Sequence, residues 1–135
     1  ISLWYRAPEL LLGCREYGPK VDMWSIGCIV AEMATGAPIF DGDSQIATLL
    51  KIFRLCGTPS ETTWPDLANM DHWSTCFPQW PTTNLQSLAE RRTELSQDLM
   101  EIICGLLVSY PVNRLSARGA KQMASQLLHD APIAI

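Results

Sequence analysis

The sequence predicts a single domain that is mainly α-helical. Three segments repeat apolar residues at the three- and four-residue spacing of a helix face, and a fourth is apolar on every side. No segment of useful length alternates apolar and polar residues as a half-buried strand does. With 135 residues, of which 47% are hydrophobic and 18% charged, the chain is long and apolar enough to form one core.

The longest helix is predicted over Lys20–Thr35. Its apolar residues cover all faces, which is typical of a helix surrounded by protein. Pro19 stands where a helix can begin. Gly36 followed by Pro38 is a stop signal, because glycine tolerates positive φ and proline cannot continue a helix. We therefore expect this helix at the centre of the domain.

The next helix is predicted over 44–56, ended by Gly57. An apolar stripe with i, i+3, i+4, i+7 spacing predicts that it lies on a surface and buries one face, formed by Ile46, Leu49, Leu50 and Phe53. The following Thr58-Pro59-Ser60-Glu61 has the form of a capping box with proline at the first helical position. It predicts a short helix that runs through Trp64.

Residues 65–95 are predicted to form a loop-rich stretch, which Trp73, Phe77 and Trp80 attach to the body of the domain. Two further helices follow. One is predicted over 96–108 with Ser96 as its cap, and the last is capped by Ser116. The apolar stripe of the last helix is formed by Ala120, Met123, Ala124, Leu127 and Leu128.

Charge and composition exclude several classes of function. Ten Lys and Arg against fourteen Asp and Glu give a net charge of −4, which argues against binding to nucleic acid. No apolar run reaches the roughly 18 residues that would indicate a membrane span. Five scattered cysteines without a Cys-x-x-Cys pair indicate reduced thiols. We expect a soluble, unsecreted protein of the cytoplasm, the nucleus or both.

The residue patterns alone reveal no catalytic, cofactor or metal site. There is no glycine-rich phosphate loop, and no Gly-x-Ser-x-Gly or His-Glu-x-x-His motif. His72 and Cys76 are two possible metal ligands without a second pair, so a structural role is favoured. The carboxylate pair Asp41 and Asp43 stands at a helix start, where negative charge offsets the helix dipole.

Four stretches, in order, resemble the eukaryotic protein kinases, in particular the group of cyclin-dependent and MAP kinases. Residues 3–9, Leu-Trp-Tyr-Arg-Ala-Pro-Glu, resemble the end of the kinase activation segment. Residues 20–28 resemble the long central helix of the C-terminal lobe, and 40–59 resemble the next helix and turn of the cyclin-dependent subfamily. Residues 114–117 resemble the closing motif. The resemblance identifies the chain as the helical C-lobe of a kinase, from the end of the activation segment through the last helices, over 1–135.

The resemblance implies a substrate pocket at the start of the chain. Ser2, Leu3, Trp4 and Arg6 correspond to residues that bond the catalytic loop or line the pocket for the residue after the phosphoacceptor, which in this group is usually proline. The implied substrates are proteins phosphorylated at Ser-Pro or Thr-Pro.

The resemblance also assigns structural roles. Glu9 would pair with Arg114. Asp22 would accept hydrogen bonds from the backbone of the catalytic loop, although its place in the first helical turn is also favoured by the helix dipole. Trp24 and Gly27 would serve packing. The family aspartate in Asp-Pro-x-x-Arg is replaced here by Tyr110.

The parts of a kinase that transfer phosphate do not occur in this sequence. They are the glycine-rich loop, the strand lysine, the His-Arg-Asp loop and the Asp-Phe-Gly aspartate that holds magnesium. In the family they precede Ile1. We therefore expect a partial kinase chain without an N-lobe or a catalytic loop. It would need these missing parts as partners, would have no catalytic or metal residues of its own, and would leave Mg-ATP to the full-length parent.

Two further expectations follow from this resemblance. A cyclin would be bound only through the absent N-lobe, and one flank of the helix Lys20–Thr35 would lack its cover. The alternative function is a non-catalytic, kinase-derived interaction module. It would offer the helix 44–56 and the loop 58–66 to a Cks-type adaptor or similar partner.

Overall fold

The computed structural model describes residues 3–90 and 96–130, and the backbone of these two stretches is helical or irregular, without a strand. The α-helices, in order, are α1 (Pro8–Leu11), α2 (Lys20–Thr35), α3 (Gln45–Cys56), α4 (Gln97–Leu106) and α5 (Ala117–Asp130). Shorter 3₁₀ segments lie at Leu3–Tyr5, Leu67–Asn69, Thr82–Glu90 and Pro111–Asn113. The prediction of a mainly helical fold is confirmed.

The helix ends follow local capping chemistry. Ser44, Ser96 and Ser116 each accept a hydrogen bond from the backbone N–H three residues later, at 3.0, 3.1 and 3.1 Å. Gly36 and Gly57 follow α2 and α3 with φ of 86° and 95°, which a residue with a side chain rarely adopts. The predicted starts and ends of these helices are therefore confirmed to within a residue or two.

α2 packs against α4, and its buried face includes Trp24, Cys28 and Ala31. Gly27 allows this approach, because a Cβ atom at that position would lie 2.8 Å from Cβ of Leu106. α2 is covered by protein except on one side, and this exposed side agrees with the expectation that one flank of the helix lacks its cover. Three apolar side chains at helical spacing are exposed there, namely Ile26 at 44%, Ile29 at 48% and Met33 at 75%. The pattern alone could not show this, because it records how apolar a face is and not what covers it.

The buried face of α3 differs from the predicted stripe. Leu49, Ile52 and Phe53 are fully buried, whereas Ile46 is 49% exposed and Leu50 is half-buried. The helix is rotated so that a different edge of its apolar stripe contacts the core. Its surface position and its length are as predicted.

The short helix predicted after Pro59 is absent, and that prediction is wrong. Thr58 does not cap a helix. Its hydroxyl donates to the carbonyl of Pro78 at 2.7 Å and accepts from the N–H of Trp80 at 3.0 Å. Ser60 and Thr63 form the turn instead, each side-chain oxygen accepting from the other residue's N–H. The Thr58 hydroxyl thus forms hydrogen bonds with residues distant in the sequence, so it is not available to cap a helix.

The aromatic residues of the long loop attach it to α3, as predicted. The rings of Trp73 and Phe77 lie edge-on to Phe53, with centroid distances of 6.3 and 5.7 Å. Within the loop, Thr82–Glu90 forms a 3₁₀ segment that contacts α3 and α4. The sequence did not predict this segment.

α5 packs against α4. The side chains of its predicted stripe from Ala120 to Leu127 are half-buried, and Leu128 lies outside the described side chains. Across the described stretches, no helix has the length and hydropathy needed to cross a membrane.

Candidate functional site

The segment before α1 is held in place by its aromatic side chains. The indole N–H of Trp4 donates to the carbonyl of Gly42 at 2.9 Å, which joins residues 38 positions apart. Trp4 is nevertheless 38% exposed, so part of its ring faces solvent. The hydrogen bond at the indole nitrogen therefore fixes the orientation of the Trp4 ring. The exposed part of that ring gives the segment an aromatic surface.

Tyr5 ties the same segment to α2. Its hydroxyl donates to a carboxylate oxygen of Glu32 at 2.5 Å, and this hydrogen bond is the main cause of the raised pKa of Tyr5. The hydroxyl of Ser25 donates to the carbonyl of Tyr5 at 2.7 Å. The sequence had not indicated these partners, because the resemblance over 20–28 gives Ser25 no role and Glu32 lies outside it.

A cleft of about 260 Å³ lies between this segment and the start of α2. It is lined by Tyr5, Arg6, Ala7, Leu10, Val21, Asp22 and Ser25. The structure thus brings two of the predicted site residues, Arg6 and Asp22, to one cleft. Asp22 is exposed in the first turn of α2, where the helix dipole favours its charge. Ser2, the first of the predicted substrate-binding residues, lies outside the described residues.

Glu9 and Arg114 form a buried ion pair, 105 positions apart in the sequence. Two guanidinium nitrogens of Arg114 donate to the two carboxylate oxygens of Glu9, both at 2.8 Å. Each residue is only 2% exposed. The predicted pairing is present, with the bidentate geometry that a planar guanidinium allows.

Arg114 uses all five of its N–H donors. Besides the two bonds to Glu9, it donates to the carbonyls of Lys20, Val108 and Ser109 at 2.7, 2.8 and 3.0 Å. These carbonyls belong to the first residue of α2 and to the turn after α4. Arg114 therefore joins α1, α2 and that turn. Because residues 3–6 lead into α1, these bonds also fix the direction in which that segment enters the helix.

Trp24 and Gly27 lie in the core, away from the exposed side of α2. Trp24 is fully buried and stacks on Phe40, with 5.6 Å between ring centroids and 17° between the ring planes. Its indole N–H has no hydrogen-bond partner among the described residues. Both residues occupy positions that suit packing, as the sequence suggested.

Tyr110 stands where the family pattern has an aspartate, and it makes an aromatic contact instead. Its ring centroid lies 5.9 Å from that of Trp64. The turn that presents Arg114 is thus supported by the Trp64 ring and by Arg114's own bonds to the carbonyls of Val108 and Ser109. The geometry of the ion pair does not require the missing carboxylate.

The side chains that could ligate a metal are scattered over the described part of the chain. Residues 3–90 and 96–130 contain no group of three or more His, Cys, Asp or Glu side chains placed to hold a metal ion. The carboxylate of Asp41 instead bonds the Lys51 ammonium at 2.8 Å.

The five cysteines are free thiols. Burial raises the pKa of Cys28 well above its ordinary value and raises that of Cys56 to about 12. Burial also raises the pKa of Cys104. These three thiols therefore stay protonated at neutral pH and are poor nucleophiles, because the thiolate is the reactive form.

A comparison with protein families agrees with this geometry. The family model of the protein kinase domain matches residues 1–126. The matched stretch contains the segment before α1, the whole of α2 and both members of the Glu9–Arg114 pair. We conclude that the chain belongs to the protein kinase domain family.

Proposed function

We propose that this chain forms the helical C-lobe part of a proline-directed, cyclin-dependent-like serine/threonine kinase. In that kinase it would recognise the substrate, and the complete domain would transfer phosphate from Mg-ATP. The observation that carries the proposal is the fixed segment over residues 3–6. It presents the partly exposed ring of Trp4, and it leads into α1, which the Glu9–Arg114 pair holds in the core.

A preference for proline after the phosphoacceptor has a physical basis in such a segment. Proline has no backbone N–H, so it does not lose a hydrogen bond to water when it enters a site without an acceptor. Its ring can pack on an aromatic face such as the exposed part of Trp4. Another residue at that position would bury an unpaired N–H, which costs about 1–3 kcal/mol.

The Glu9–Arg114 pair would act as a positioning device. Neither side chain reaches the surface, so neither can touch a substrate. Their bonds tie α1 to α2 and to the turn after α4, and the segment over 3–6 leads directly into α1. The pair therefore supports the proposal through the orientation of residues 3–6.

A chimeric kinase tests the proposal. Residues from the Leu-Trp-Tyr-Arg-Ala-Pro-Glu motif onward in an active cyclin-dependent kinase would be replaced by residues 3–135 of this chain. We expect phosphorylation of a Ser-Pro peptide about five- to 150-fold faster than that of the matched Ser-Ala peptide, by the unpaired N–H cost of about 1–3 kcal/mol above. Trp4→Ala should reduce this ratio. Equal rates on the two peptides, in a chimera that binds ATP, would refute proline-directed recognition.

An adaptor-binding role is a second candidate, favoured by the exposure of Ile46. This side chain lies in the first turn of α3 and is 49% exposed, although its sequence pattern predicted burial. The loop over 58–66 is a poorer contact surface, because Trp64 at its end is buried. A purified Cks-type adaptor should bind the chain, and Ile46→Asp should abolish binding while Ile26→Asp should not. No binding to the unsubstituted chain would dismiss this candidate.

A further inference from the structure

A second cleft, of about 690 Å³, lies among three loops that the proposed substrate site does not use. These loops are residues 13–18 before α2, residues 64–71, and residues 110–112 before Arg114. Its volume is within the range of sites that bind small molecules or short segments of a partner. None of residues 3–6 lines it.

The inner wall of this cleft is apolar, and so are two of its edges. Trp64, Met70 and Tyr110 line it, and Trp64 is nearly completely buried behind the surface. At the edges stand Tyr17, 61% exposed, and Val112, 67% exposed. Exposure of two large apolar side chains to water is unfavourable. A partner's apolar side chain placed beside them would bury part of this surface and so stabilise the complex.

The charges around the cleft are mostly negative. Glu16, Asp66 and Asp71 line it as exposed carboxylates, against the single guanidinium of Arg15. Glu9 also borders the cleft, but its carboxylate is buried and paired with Arg114, so it adds no free charge there.

Existing contacts do not cancel this negative charge. Arg15 is 86% exposed and lies 3.4 Å from Asp71, a surface ion pair of the kind that stabilises by about 1 kcal/mol or less. The Lys20 ammonium bonds the carbonyl of Val112 at 3.2 Å. Three carboxylates still exceed these two cations by one, and a partner's cation could replace Arg15 at Asp71 at little cost.

We propose that this cleft docks a short segment of a partner protein in which an arginine or lysine stands beside a large apolar side chain. The apolar side chain would pack between Tyr17 and Val112, against Trp64. The cation would bind the carboxylates of Asp71 and Glu16. This docking role goes beyond the kinase assignment and does not depend on it, since no residue of the segment over 3–6 takes part.

Fluorescence anisotropy with labelled peptides tests the proposal on the whole chain. The probe is Gly-Arg-Leu-Arg-Phe-Gly, and the comparison peptides are Gly-Glu-Leu-Glu-Phe-Gly and Gly-Arg-Ser-Arg-Ser-Gly. We expect the first peptide alone to bind, and its affinity to fall as salt screens the charges. The double variant Glu16→Gln with Asp71→Asn should weaken binding about tenfold at low salt, and Val112→Ser about threefold or more.

Matched controls are available elsewhere on the surface. Glu61→Gln with Glu101→Gln removes the same charge from exposed positions outside the cleft, and Met33→Ser removes an apolar side chain of similar exposure to Val112. Both should leave the affinity unchanged. The proposal is overturned if the Arg-Leu-Arg-Phe peptide does not bind, or if cleft and control variants weaken it equally. It is also overturned if the serine peptide binds as well, since the cleft would then be a plain cation site.

Discussion

The guanidinium of Arg114 lies over the ring of Trp24, with 5.2 Å between Cζ and the ring centroid. The same guanidinium forms the bidentate bond to Glu9, so its charge is held between a carboxylate and an aromatic face. Lysine could not satisfy both, because its ammonium has no planar fork of donors. This arrangement makes Arg114 the point where α1, the first turns of α2 and the turn after α4 are joined.

Glu9→Gln should strongly destabilise the chain. It leaves Arg114 buried without a counter-charge, and we expect the free energy of unfolding to fall by about 3–5 kcal/mol. Urea unfolding followed by circular dichroism measures this change. Arg15→Gln is the control, because it breaks an exposed pair and should cost less than about 1 kcal/mol. Equal losses in the two variants would contradict the role given to the buried pair.

Gly27→Ala should push α2 away from α4. The added Cβ would lie 2.8 Å from Cβ of Leu106 and 2.9 Å from Cδ2 of Leu107, closer than carbon atoms pack. We expect a loss of about 1–3 kcal/mol in the free energy of unfolding. Gly18→Ala, where a Cβ meets nothing within 4 Å, should change it little. A neutral Gly27→Ala would mean that the two helices are not in close contact.

The exposed side of α2 should bind apolar dyes. Ile26, Ile29 and Met33 share one face of α2 at helical spacing and are 44%, 48% and 75% exposed, so they offer an apolar surface to a dye. We expect the fluorescence of an anilinonaphthalene dye to rise with the native chain. It should fall in a variant combining Ile29→Ser with Met33→Ser, without loss of helix content. Absence of dye binding, together with a sharp cooperative melt, would show that the patch is covered.

Stability should decrease in alkaline solution. The thiols of Cys28 and Cys56 have raised pKa values in the folded chain, about 12 for Cys56, while unfolded thiols ionise near 9.0. Their contribution is therefore complete below pH 9 and is lost as the pH rises toward 12. The slope approaches roughly 1.4 kcal/mol per pH unit for each thiol. Urea titrations at several pH values measure it. The double variant Cys28→Ala with Cys56→Ala should show a shallower slope, and an equal slope would contradict the assignment.

The purified chain should not transfer phosphate from ATP. Phosphoryl transfer in this family uses a glycine-rich loop, a strand lysine, a His-Arg-Asp loop and an Asp-Phe-Gly aspartate, and these motifs do not occur in the 135 residues. Incubation with radioactive ATP and a Ser-Pro peptide measures the activity. The prediction that the chain lacks kinase activity is wrong if the peptide-labelling activity copurifies with the chain through successive steps and is lost in the Trp4→Ala variant.

Much of the backbone could be predicted because its signals are local. The serine caps at 44, 96 and 116 act on an N–H three residues away, and Gly36 ends α2 through its own φ. The capping box at Thr58 failed for the opposite reason. Its hydroxyl bonds residues 20 and 22 positions away, and local sequence gives no sign of that competition.

The site was predictable only where a family motif marked it. The pairing of Glu9 with Arg114 followed from the resemblance, whereas the bond from Trp4 to Gly42 did not, because a backbone carbonyl carries no sequence signature. The exposure of Ile46 was also missed. Periodicity shows that a helix face is apolar, but the face that becomes buried depends on which neighbours pack against it.

The bonds between Thr58 and the segment over 78–80 close a loop. Thr58 also donates its own N–H to the carbonyl of Trp80 at 3.0 Å, so three hydrogen bonds join the ends of about twenty intervening residues. The rings of Trp73 and Phe77 hold the middle of the loop against α3. A protease that cut one peptide bond inside this loop would therefore leave two pieces still associated. The nicked protein should migrate as one species in native gels and separate only under denaturing conditions.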